Sequence, residues 1–171
     1  MANETTFEQD LFSSIGELGL WDEENSRVTN DGIVFSMEEI SGIEKFRAVG
    51  QLSIEDRGED RAVDFMNMNL VLAKGVDENK IDAIIPKLYE INITFKTGVF
   101  FLDGGGNLCF ESTFPIIRED VESSLQIFTS IYSDVVDFIN TVYPYLLRVF
   151  VKPEDANFAD YIEALLTEPN E

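Results

Sequence analysis

The chain has 171 residues, 44% of them hydrophobic, and a formal charge of −21 from 33 acidic and 12 basic side chains. That charge argues against direct nucleic-acid binding, which needs Lys and Arg against phosphate, and it disfavours anionic membrane surfaces. With no His and a single Cys, Ser-His-Asp and Cys-His catalysis, His-ligated zinc and an internal disulfide are all excluded.

The length fits one domain, or one domain with an appended helix. Fourteen Phe against one Trp predict a core built largely on Phe. The acids gather at the two ends: residues 61–110 hold six acidic and five basic side chains, close to neutral. The N-terminus lacks a basic, apolar leader, and no apolar run approaches the roughly 18 residues of a membrane span. A cytoplasmic protein is expected.

Residues 5–18 predict a first helix, with Phe7, Leu11, Ile15 and Leu18 at helical spacing, Thr5 and Glu8 as a capping box and Gly19 as the stop. An acidic loop, Asp22 to Asn25, follows beside Trp21 and reads as a solvated connection. A strand-rich block comes next. Val28 and the turn residues Asn30-Asp31-Gly32 lead into Ile33-Val34-Phe35, and a loop spans Glu38 to Gly42. From Phe46 the alternation is clear: Phe46, Ala48, Leu52 and Ile54 share a face with Gly50 in the gap, and Arg47, Gln51, Ser53 and Glu55 take the other. One wet and one dry face imply an antiparallel sheet covered on one side. After a turn at Asp56 to Asp60, residues 61–73 predict a third strand with apolar residues on both faces, either central or open to a partner. Met66 and Met68 read as core filler there.

Residues 78–92 predict a second helix with the stripe Ile81, Ile84, Ile85, Leu88 and Ile91; Pro86 implies a late start or a kink. Two aromatic and β-branched runs then flank Asp103, Gly104, Gly105, Gly106 and Asn107, which is a hairpin signal because these residues tolerate positive φ. Cys109, inside the second run, reads as a buried structural thiol. The longest helical pattern follows over residues 119–142. Val121, Leu125, Phe128, Tyr132, Val135, Ile139 and Val142 recur in a 4-3 rhythm, a heptad-like seam on a helix of roughly 36 Å. Pro144 ends or kinks it. Pro153 starts a last helix with Phe158, Tyr161, Ile162, Leu165 and Leu166 on one face.

The fold class expected is α+β: a mostly antiparallel twisted sheet of about five strands with helices packed on it, a single domain with its core at about residues 5–142 and a helical extension over residues 145–168. The order helix, three strands, helix, hairpin, helix resembles that of type III secretion chaperones and the related YbjN family. Its most specific piece is the run Leu88, Asn92, Gly98, Phe100, Leu102, Asp103, Gly106, Leu108 and Pro115, which is similar to a YbjN-type pattern; Ala159-Asp160-Tyr161 fits the C-terminus. The resemblance implies a bacterial, non-enzymatic protein, either an acidic homodimer that holds a client polypeptide or a regulator. The extension after Pro144 departs from the chaperone pattern.

The Gly-rich turn lacks the Gly-Lys-Ser/Thr ending of a phosphate loop and the alternating oxygens of a calcium loop, so it is read as a plain turn. Adjacent carboxylates such as Glu23-Glu24, Glu38-Glu39, Glu59-Asp60 and Glu119-Asp120 lack the cleft and spacing that acid–base chemistry needs. No catalytic, metal or cofactor residues are predicted. The seam has two readings, one long helix packed on its own sheet, or a dimer surface formed by Val121, Leu125, Phe128, Tyr132 and Val135. The expected function is protein–protein interaction, by strand addition or an apolar groove, as a chaperone-like or regulatory adaptor. Two alternatives stand beside it: an acidic inhibitor or decoy of a basic or nucleic-acid-binding protein, and an enzyme using a carboxylate pair or bound cation.

Overall fold

A computed structural model of the protein describes residues 6–21, 24–29, 31–38, 47–55, 58 and 61–167. They form an α+β fold in which helices pack on a six-stranded, wholly antiparallel sheet. The strands are β1 (Ser26–Thr29), β2 (Gly32–Glu38), β3 (Arg47–Glu55), β4 (Val63–Ala73), β5 (Val99–Leu102) and β6 (Leu108–Ile117), in the order β1-β2-β3-β4-β6-β5. The sheet has one strand more than expected. The stretch around residues 28–35 is itself a hairpin, with Thr29 opposite Gly32 across a two-residue connection. The loop residues 39–42, Phe46 and most of the turn at residues 56–60 lie outside the described residues.

The period-2 pattern decides which face is dry. Ala48 and Leu52 are fully buried, and Leu52 stands between Ile33 and Met68. Gly50 lies in that row because the Phe35 ring occupies the space beside it: a Cβ there would sit 2.2 Å from a ring carbon. The strand over residues 61–73 is central, between β3 and β6, and Met66 and Met68 are core residues.

Three helices cover the dry face, α1 (Phe7–Glu17), α2 (Ile81–Thr94) and α3 (Val121–Val151), and α4 (Phe158–Thr167) packs on α2 and α3. The cap of α1 falls one residue later than expected. Thr6 and Gln9 form the reciprocal box, Thr5 lies outside the described residues, and Gly19 at φ +65° ends the turn. A single 3₁₀ turn, Glu78–Lys80, precedes α2, which starts late and carries Pro86 inside it. The proline is on the exposed side, so the Asp82 carbonyl it leaves without an N–H partner faces water. Ile84, Leu88 and Ile91 are buried as expected, but Ile85 points outward.

Pro144 does not end α3, which runs unbroken for 31 residues, about 46 Å. An interior proline costs on the order of 3 kcal/mol. Val142, Tyr145, Leu146 and Val149 around it are fully buried, each worth roughly 1.5–3 kcal/mol, so burial wins. The Tyr161 hydroxyl donates to the Thr141 carbonyl beside the irregularity. The helix starts at a tight corner: Glu119 has φ +63°, Asp120 Oδ1 accepts from the Ser123 N–H, and Ser124 Oγ bonds both main-chain groups of Ile117.

The seam on α3 belongs to this molecule's own core. Phe128 and Val135 are fully buried, Val121, Leu125 and Tyr132 pack half-buried against the core, and Phe128 lies beside Phe114 of β6. Of the five residues considered from the sequence as a dimer surface, Phe128 and Val135 are thus covered within this chain, while Val121, Leu125 and Tyr132 keep part of their surface open. Trp21 precedes the acidic loop, whose Asp22 and Glu23 lie outside the described residues, and packs on the core. It stacks on Phe35 with centroids 4.0 Å apart and donates to the Tyr132 hydroxyl at 3.1 Å.

Candidate functional site

The Gly-rich turn joins adjacent strands and is closed on itself. Asp103 Oδ1 accepts from the Gly105 and Asn107 N–H groups at 2.8 and 2.9 Å, and its Oδ2 accepts from the Asn107 amide at 2.9 Å. These bonds, led by the Asn107 side chain, hold the carboxyl below its ordinary range. Asn107 Oδ1 in turn accepts from the Gly75 N–H, and the Val76 N–H donates to Gly106, so the turn is tied to the connection before α2. Asp103, Gly105, Gly106 and Asn107 are thus occupied with one another or with that connection, and Gly104 sits at the open tip. Burial, reinforced by the nearby Asp103 charge, pushes the Cys109 thiol up and keeps it protonated near neutrality.

Of the acidic pairs, Glu119-Asp120 is the one that lies wholly among the described residues, and it sits at a helix start. Asp120 is a helix cap, lowered by the Ser123 N–H, with Glu119 in the corner before it. Glu23, Glu39, Glu59 and Asp60 lie outside the described residues. Among the described residues, no cluster of three or more His, Cys, Asp or Glu could hold a metal ion, and no helix is long and apolar enough to cross a membrane.

The feature that stands out is a groove of about 700 Å³ between the C-terminal end of α2 and α4. Ile93 and Thr94 line one wall, Phe158, Ile162 and Leu166 line the other, and Glu90 and Glu163 sit among them. The spacing of α4 makes that wall, because Phe158, Ile162 and Leu166 fall at i, i+4 and i+8 on one ridge. Its root is anchored: Phe158 packs on Tyr145 and Phe95, and Tyr161 stacks on Tyr145 at 5.5 Å. Its far end is open, with Leu166 82% exposed. On α2, Ile85, Tyr89 and Ile93 make a second i, i+4 ridge, each more than half exposed.

One polar contact ties the groove floor to the core. The Tyr145 hydroxyl reaches Glu90 Oε2 at 3.5 Å, while Lys87 pairs with the other Glu90 oxygen at 3.8 Å. Burial, followed by the Glu90 charge, pushes Tyr145 up to about 12. The hydroxyl stays a donor across the physiological range and is no general base.

The sequence pattern puts Ile85 in one stripe with Ile84 and Leu88, and Leu165 and Leu166 on one face with Phe158 and Tyr161; Ile85, Leu165 and Leu166 are exposed. The available signal was width. Apolar side chains on α2 and α4 wrap further round each helix than a single packing contact can cover. The chain matches no protein-family model and no curated protein sequence.

Proposed function

We propose that the protein is a non-enzymatic, chaperone-like or regulatory adaptor whose α2/α4 groove receives an amphipathic helix from a basic protein partner. The single observation that carries this reading is the groove itself: about 700 Å³, apolar on both walls, with Leu166 almost wholly exposed at its mouth. The α4 ridge of Phe158, Ile162 and Leu166, with Ile93 opposite it, suits the i, i+3, i+4 anchors of a bound helix. Glu90 and Glu163 beside those walls, on a chain of charge −21, favour Lys and Arg on the partner's flanks.

Strand addition is less well supported at the β5 edge. Asn92 on α2 donates to the Phe100 carbonyl at 2.8 Å and accepts from its N–H at 2.9 Å, so that edge residue is already paired. The element order supports a proposed kinship with YbjN-like and type III secretion chaperone-like proteins, with four strands instead of three between α1 and α2. A cytoplasmic setting belongs to the same proposal.

The test is fluorescence anisotropy with a labelled 14-residue amphipathic peptide, Leu on one face and Lys on the other, beside a scrambled peptide of equal composition. The patterned peptide should bind more tightly. Leu166→Asp should weaken it about 10- to 100-fold, since one buried Leu contributes roughly 1.5–3 kcal/mol. Equal binding of both peptides, lost together between 0.05 and 0.5 M salt, would favour an acidic decoy. No binding of either would refute the groove reading.

A further inference from the structure

The helices lie on one face of the sheet, and no described element packs on the other. Residues paired across an antiparallel ladder share a face, so the register shows what the open side carries. One cross-strand row is apolar from β3 to β5: Val49, Val71, Cys109 and Phe101, with Cys109 itself buried. The row beside it centres on the neutral amides Gln51 and Asn69. Val49 and Val34 on this face are each close to half exposed.

Charge is what distinguishes this surface. The chain carries −21, so two copies repel over most approaches. Among the strand side chains described, the outward-facing charges are only Arg27, Glu55 and Glu111, a net of about one negative charge. Extent is adequate too. With strands about 4.8 Å apart and ~3.3 Å per residue, β2 to β5 present roughly 600–700 Å². Two copies face to face would bury about 1,300 Å², within the range of specific interfaces.

We propose that the open sheet face is the docking surface for a second copy of this chain, forming a closed two-fold dimer. A two-fold contact needs one self-complementary patch, and a near-neutral face of valines and amides supplies it. The two helical layers then point outward and leave both α2/α4 grooves accessible. The proposal does not depend on what the groove binds.

Sedimentation equilibrium of the full chain at 10–100 µM decides it. The expected mass is twice the 19.4 kDa of the chain, with tighter association at 0.5 M than at 0.05 M salt as residual repulsion is screened. Val49→Glu should raise the dissociation constant at least tenfold. Val34→Lys is the second variant, and circular dichroism and thermal melts confirm that each remains folded. Ile85→Glu, on the helical side, should leave the dimer intact. A monomer throughout this range, a dimer untouched by both sheet variants, or one dissolved by Ile85→Glu would overturn the proposal.

Discussion

Replacing Arg118 with Met should be among the most damaging single changes in this protein. Asp64 is 1% exposed, on the dry face of β4 beneath the corner that launches α3. The Arg118 guanidinium donates to both of its oxygens, each at 2.9 Å. Taking the cation away strands a carboxylate in the core, and breaking one side of a buried pair typically costs about 3–5 kcal/mol. Against a total stability of roughly 5–15 kcal/mol, that is a large share. For a chain of this length it corresponds to a fall of roughly 6–20 °C in Tm. Asp64→Leu should cost less, because the Arg118 side chain is already 20% exposed and can turn to water. The double variant Asp64→Leu/Arg118→Met should recover most of the loss, since an apolar pair of similar volume is often neutral or stabilising. Urea unfolding at pH 7, followed by circular dichroism, measures all three. A loss under about 1 kcal/mol for Arg118→Met, or a double variant as unstable as that single one, would refute the argument.

Two further outcomes follow from the same geometry. Tyr145 is held near 12 in the folded protein against an ordinary 10.0, so its neutral form contributes stability that is fully present below pH 10 and lost as pH rises to 12. Two units correspond to about 2–3 kcal/mol. Urea midpoints across that window should fall further for the wild type than for Tyr145→Phe, and parallel curves would contradict the assignment. Asn92→Leu removes both bonds to the Phe100 main chain, which should cost about 1–3 kcal/mol and open the β5 edge. Concentration-dependent light scattering on warming is the readout, and a variant as stable and as clear as the wild type would show that Asn92 does not guard that edge.

Local chemistry was enough to place most elements. Gly19 at positive φ, the alternation through Ala48, Leu52, Met66 and Met68, and the Asp103–Asn107 turn each act over a few neighbouring residues, so periodicity and turn preference report them directly. The extra hairpin was missed because a four-residue strand ending at Thr29 is too short to show a period. The candidate groove was legible only in part: the apolar residues that form it were visible, but not their facing.

What the sequence determined by itself was the class of fold, the hairpin and the lack of any His or second Cys, because these depend on residue type and short spacing. Tertiary structure decided the rest. Whether Pro144 breaks a helix depends on how much apolar surface its neighbours bury, and here Val142, Tyr145, Leu146 and Val149 outweigh the lost bond. Which of two apolar helical faces is covered depends on the partner element, and that sends Phe128 and Val135 into the core while leaving Ile93 and Leu166 in water. A helix can show how much greasy surface it has, but only its neighbours decide which part remains open to another protein.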